Sequence, residues 1–189
     1  MVCVDEVHIV VYDGVAATLS EELLASYLEV YAEAPYWETA KEVAEFAAEW
    51  PELLAEPGFR LALARTDAGE LVGFALGHLL GANSAWWADM RPMPAAETTG
   101  RIRVEDLTRS FGVAELGVHR AWRRRGIARR LHDALLAGRS ELPVVLWART
   151  DAPGAQATYD RWGYQRLGTV QRGEDLSYYV LCRDHAPGR

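Results

Sequence analysis

Apolar positions along the 189-residue chain change their spacing several times, and each change marks an element. Val7 to Tyr12 reads as a first strand. Thr18-x-x-Glu21 is a capping box, after which Leu23, Leu24, Tyr27, Leu28 and Tyr31 recur at helical spacing until Pro35. Thr39-x-x-Glu42 opens a second helix with Val43, Phe46, Ala47 and Trp50 on one face, and Pro51 and Pro57 bracket its end. Phe59–Arg65 and Leu71–Leu79 are apolar runs around Asp67-Ala68-Gly69, a hairpin signal. Periodicity then lapses from Leu80 to Val104, a long connection that leaves room for a short helix. Phe111–Val118 resumes as a strand. Ile127, Leu131 and Leu135 define a helix from Gly126 to about Gly138. Val144–Thr150 reads as a buried strand, Ala155–Trp162 as a short helix ended by Gly163, and Tyr164–Gln171 with Ser177–Cys182 as a final antiparallel pair.

This order predicts an α/β (α+β) domain with one mixed central sheet of about seven strands flanked by about four helices. It is expected to be one domain over residues 1–182 with a flexible tail at 183–189. Half the residues are hydrophobic and a quarter are charged, an ordinary globular mix. No apolar run approaches the roughly 20 residues a bilayer span needs, and Asp5 and Glu6 sit where a signal peptide would be basic, so no membrane association is expected. Cys3 and Cys182 make no disulfide framework, which points to a cytoplasmic setting.

Charge changes the picture at one place. The net charge is −7, yet His119 to Arg130 holds six arginines and no acid. The remaining positive charge includes one lysine, Lys41. A basic loop ahead of a helix start directs backbone N–H groups and the helix dipole at one point, which suits a pyrophosphate. An acidic chain with one short basic patch is not expected to bind nucleic acid.

The spacing Arg123-x-x-Gly126-x-Ala128 resembles the R/Q-x-x-G-x-G/A signature of the GNAT N-acetyltransferase superfamily. Downstream, Ala155-x-x-x-Tyr159-x-x-x-Gly163-Tyr164 is similar to that family's A-x-x-L-Y-x-x-x-G-F segment. The resemblance is densest from Phe111 to Tyr164. It implies the GNAT fold, acetyl-CoA as co-substrate, no metal, and an amine acceptor that meets the donor in a ternary complex. It implies that the strands Phe111–Val118 and Val144–Thr150 splay apart around pantetheine. It also raises a homodimer, since final strands in the family often pair between subunits.

The resemblance carries roles to particular positions. Leu116 and Val118 would pair through their main chain with pantetheine. Arg123, Arg124, Gly126, Ile127, Ala128 and Arg129 would hold the pyrophosphate. Tyr159 would protonate the departing thiolate, and the N–H of Val118 would meet the oxyanion. Glu115, on the same strand face as Gly117, is the first choice for the base that deprotonates the amine, with His119 the weaker candidate. The family often has an asparagine where this chain has Asp151-Ala152-Pro153-Gly154. For the acceptor, Tyr36, Trp37, Trp86, Trp87 and Asp89 offer aromatic faces and a carboxylate that suit a cationic amine; the tryptophans would equally serve as core cover. Two alternatives stay open at this point, an acyltransferase using a longer acyl-CoA and a noncatalytic CoA-binding or interaction module of the same fold.

Overall fold

The computed structural model describes residues 6–14, 20–87, 90–92, 107, 109–139 and 143–184. Its elements run β1 (Val7–Asp13), α1 (Ser20–Tyr31), α2 (Ala40–Ala55), β2 (Arg60–Thr66), β3 (Leu71–Gly81), β4 (Arg91–Pro92), β5 (Arg109–Val118), α3 (Ile127–Leu136), β6 (Val144–Arg149), α4 (Pro153–Arg161), β7 (Gln165–Arg172) and β8 (Leu176–Arg183). Short 3-10 turns lie at Ala85–Trp87 and Arg120–Trp122. The strand order is β1-β2-β3-β5-β6-β8-β7-β4. All seven strands expected from the sequence are present, and the two-residue β4 makes an eighth among the described residues.

The chain divides into two compact units, Met1–His78 with Ala114–Ala137, and Leu79–Val113 with Gly138–Arg189. In the first, β2 pairs antiparallel with β1 and β3, and Gly69 at φ 86° turns the β2–β3 hairpin. Leu61 to Ala64 are wholly buried, and so are Val72 and Phe74 to Leu76. Unbroken apolar runs of this kind belong to strands covered on both faces. Leu23, Tyr27, Val30 and Tyr31 of α1 and Phe46 and Trp50 of α2 pack on Phe74 and Leu76. Tyr27 stacks on Phe46 at 4.5 Å, and Trp50 meets Phe59 edge-on at 5.8 Å.

In the second unit, β8 pairs antiparallel with both β6 and β7, and β5 runs parallel to β6 from Phe111↔Val144 to Val113↔Leu146. Its core gathers Leu80, Leu107, Val145, Leu167, Val170, Val180 and Cys182. Burial raises the Cys182 thiol to a pKa of about 12 and leaves it unreactive.

α2 ends at Ala55, between Pro51 and Pro57 as expected, with Pro51 inside the helix. Leu53 and Leu54 beyond Pro51 pack on the core, so their burial offsets the hydrogen bond that proline forfeits. The β3 ladder takes in Leu80 and Gly81, which the lapse in periodicity had placed in the connection. β8 extends through Arg183. The Thr39–Glu42 capping box forms as expected, whereas Thr18 lies outside the described residues.

Gly117 of β5 stands where α1 and β3 leave no room for a side chain. A Cβ there would stand 2.8 Å from Val30 Cγ1 and 2.9 Å from Phe74 Cζ. Gly117→Ala is expected to cost about 1–3 kcal/mol through overpacking. Chemical denaturation checks this, and an unchanged midpoint would show that α1 can shift freely off β5.

Candidate functional site

The basic segment follows directly from β5. After Val118, the chain makes one 3-10 turn at Arg120–Trp122 and enters α3 through Gly126. Gly126 is the helix N-cap at φ 77°, and no side chain caps this end. Arg124 is also left-handed, at φ 63°. The N–H groups of Ile127 and Ala128 therefore start the helix without an intrahelical partner, while the N–H of Arg130 closes onto Gly126 O at 3.1 Å. A Cβ at 126 would meet nothing within 4 Å, so the space before these donors is open. Left-handed residues next to a bare helix start make an anion-binding concavity.

The six arginines divide by partner. Arg130 donates to Val7 O at 2.6 Å and pins α3 to β1. Arg129 is held by Asp133 at 2.9 Å, and Arg125 lies 4.7 Å over the Trp122 ring. Arg123 turns its guanidinium to protein groups at the surface. Its Nε donates to Val118 O at 2.9 Å, and its two terminal nitrogens grip the Glu33 carboxylate at 3.1 and 3.3 Å. From the sequence this side chain is expected at the phosphate; here its guanidinium is engaged by protein groups. The Val118 carbonyl, expected to pair with pantetheine, likewise has one lone pair already engaged. Among the described residues, the exposed Arg120 and Arg124 side chains make no hydrogen bond or ion pair, which leaves Arg124 as the arginine best free to meet an anion.

Glu115 is half-buried on β5 with its carboxylate facing α1. Tyr31 Oη donates to its Oε2 at 2.7 Å. Desolvation pushes the Glu115 pKa up to about 8; the Tyr31 bond opposes the rise, and the negative charges of Glu38 and Glu49 add to it. Burial and the same carboxylate raise the Tyr31 phenol well above its ordinary value. A base with a pKa near the working pH is well matched to proton transfer.

His119 is buried at the end of β5. Its Nε2 lies 2.7 Å from Ser26 Oγ and its Nδ1 lies 3.1 Å from Glu29 Oε1. The order acid–imidazole–hydroxyl is that of a nucleophile triad, but Ser26 is buried at 4% exposure. The chain of bonds fastens α1 to the start of the loop. Ser26, Glu29 and Glu33 were not singled out in the sequence, and Tyr31 was read only as part of the apolar face of α1. Their signal was a serine and two glutamates at i, i+3 and i+7 along α1 and just past its end.

Tyr36 packs edge-on against Tyr31 at 5.0 Å, and Trp37, 68% exposed, adopts φ 53°. Both lie in the first unit with Glu115. In the second unit, Trp86 packs on Trp147 at 5.4 Å, Trp87 Nε1 donates to Gly81 O, and both indoles cover the core there. This packing matches the core-cover reading that the sequence left open beside an acceptor role. Asp89 lies outside the described residues. Tyr159, on α4, packs its ring against Trp162 and Tyr164 at 5.7 and 5.6 Å. Near the missing asparagine, Gln156 binds the carbonyls of Arg149 and Thr150 at 2.8 and 2.9 Å, tying α4 to the end of β6.

The sequence profile of the Acetyltransferase (GNAT) family matches residues 16–164. The chain belongs to the GNAT acetyltransferase family. Solved GNAT-like structures share its architecture. An acetyltransferase of Corynebacterium glutamicum, described with histone acetyltransferase HPA2, is 19% identical, with a TM-score of 0.63 over 96% of this chain and 97% of that one. PH1933 of Pyrococcus horikoshii is 15% identical, with a TM-score of 0.62 over 95% and 98%. Arabidopsis thaliana NAA60, solved with a bisubstrate analogue, is 16% identical, with a TM-score of 0.59 over 93% and 97%. At these identities the likeness is one of fold. Mycothiol acetyltransferases of Clavibacter sepedonicus and Clavibacter michiganensis are 49% and 47% identical over 53 residues, 28% of this chain. The chain spans 17% of the length of those curated relatives. GNAT enzymes take acetyl-CoA as co-substrate, and the anion-binding helix start described above falls within the matched region.

The raised Glu115 pKa has a thermodynamic signature. Between the ordinary value of 4.5 and about 8, the folded protein holds a proton that the unfolded chain has released. Stability from this group is full below 4.5, falls as pH rises through that window, and is flat above it. Glu115→Gln is expected to remove this component. Urea denaturation of both proteins from pH 5 to 9 measures it, and parallel curves would show that Glu115 is ionised throughout.

Proposed function

We propose that this protein transfers an acetyl group from acetyl-CoA to a primary amine of a small molecule or peptide, directly, in a ternary complex. The observation that carries the reading is the uncapped start of α3, with left-handed Arg124 and Gly126 beside it, at the GNAT pyrophosphate motif. The N–H groups of Ile127 and Ala128 and the Arg124 side chain bind the diphosphate, and the main chain of Leu116 and Val118 aligns pantetheine. Gly126 leaves the space that a phosphate needs.

Glu115 takes the proton from the acceptor ammonium. The neutral amine attacks the thioester carbonyl, the oxyanion is met by the Val118 N–H, and the C–S bond breaks to release CoA thiolate. The Tyr159 phenol returns a proton to that sulfur. Tyr36 and Trp37 border the acceptor, for which the acidic surroundings of Glu115 favour a cation. A pKa of about 8 for Glu115 makes kcat/KM climb with pH up to that value and level above it.

Thermal unfolding across acetyl-CoA concentrations tests the donor, with CoA and ATP as controls. Ligand at 100 times its dissociation constant is expected to add about 2.7 kcal/mol of stability. Gly126→Glu is expected to abolish the shift while the apo protein stays folded. No shift with acetyl-CoA, alongside one with a longer acyl-CoA, would reassign the donor. Binding without turnover on any amine would make the protein a CoA-binding module. Arg124→Gly relieves a left-handed arginine, and is expected to raise apo stability by about 1 kcal/mol while weakening acetyl-CoA binding. Tighter or equal binding would remove Arg124 from the phosphate site.

A further inference from the structure

Arg123 occupies the first position of the pyrophosphate motif, yet every nitrogen of its guanidinium is aimed at the protein. Nε meets Val118 O at 2.9 Å, and the fork meets both oxygens of Glu33 at 3.1 and 3.3 Å. A planar guanidinium matched to a carboxylate fixes direction as well as distance. Val118 is the last residue of β5, Glu33 lies two residues past α1, and Arg123 immediately precedes the left-handed Arg124. One side chain therefore joins strand end, helix end and loop. The same edge of α1 holds His119 through Ser26 and Glu29.

We infer that Glu33 is a positioning residue for the donor loop, and that Arg123 serves the donor only through its bracket with Glu33 and Val118. The inference rests on the acetyl-CoA reading above. Glu33 reaches a second segment as well. Its carbonyl accepts the N–H groups of Tyr36 and Trp37 at 2.9 and 3.0 Å. The carboxylate sets the Arg123–Gly126 turn while the carbonyl sets the turn that carries the aromatic pair.

The two roles open to Arg123 predict opposite outcomes for a change at Glu33. If the guanidinium touches the diphosphate, Glu33→Gln frees it, and donor binding holds or tightens. If the guanidinium acts through the bracket, the loop loses its hold, and donor binding weakens. Calorimetric titration of acetyl-CoA into the wild type, Glu33→Gln, Arg123→Gln and the double variant separates them. Each single variant is expected to lose about tenfold in affinity, with the double no weaker than the weaker single, because the two changes remove one interaction. Glu33→Asp keeps the charge and is expected to fall between wild type and Glu33→Gln, and it stands in if the glutamine variant folds poorly. In turnover, KM for acetyl-CoA is expected to rise while kcat at saturating donor stays within about twofold, since uniform binding is what is lost; a general loss of structure would lower both. Unchanged affinity in Glu33→Gln, or additive losses in the double variant, overturns the bracket. Absence of acetyl-CoA binding by the wild type overturns the donor reading and the bracket with it.

Discussion

Glycine at position 117 lets α1 lie against β5 so closely that Val30 and Phe74 fill the space where a side chain would be. That approach distance governs the site. At this separation, Tyr31 Oη reaches Glu115 across 2.7 Å, Ser26 reaches His119 across 2.7 Å, and Glu33 reaches Arg123 across 3.1 Å. None of these bonds tolerates an added ångström, because hydrogen bonds weaken steeply beyond their normal length. The core contact and the polar contacts are thus one construction. The apolar face of α1 sets its depth, and the polar edge uses that depth to hold the strand end and the loop.

Glu115 shows how such a construction supports an unfavourable group. A carboxyl taken out of water is driven toward its neutral form, and neighbouring Glu38 and Glu49 push it further that way. Tyr31 is the opposing influence, a donor fixed in a nest of Tyr27, Tyr36 and Phe74 rings. A tyrosine held by that many aromatic faces cannot turn its hydroxyl elsewhere without repacking. The carboxyl thus keeps one donor in place in either protonation state.

The sequence displayed the fold through long-range regularities. Unbroken apolar runs identified β2 and β3, helical spacing identified α1, α2 and α3, and the glycine spacing identified the turn into α3. Errors came at strand ends, as where β3 continues through Leu80 and Gly81 into the stretch whose periodicity lapses. Glu115 was legible from strand alternation, since it shares a face with Gly117. The direction of Arg123 was not, because a motif reports which residue stands at a position and not which neighbour it faces. Glu33 becomes visible as its partner only once α1 is laid on β5. Trp86 and Trp87 were ambiguous for the same reason, as an indole suits a binding face or a core lid until its neighbours are known.

The makeup of the basic loop has a chemical consequence. A thioester is an electrophile, and any unprotonated amine held beside it is a target. Arginine keeps its proton across the physiological range and offers no nucleophilic lone pair, whereas lysine is readily tuned to lose its charge. All six cations from His119 to Arg130 are arginines, and the sole lysine, Lys41, stands on α2, where it pairs with Glu45 at 3.4 Å. A loop built this way offers an activated acyl donor no amine to modify, so a donor site proposed there would not be consumed by the reagent it binds.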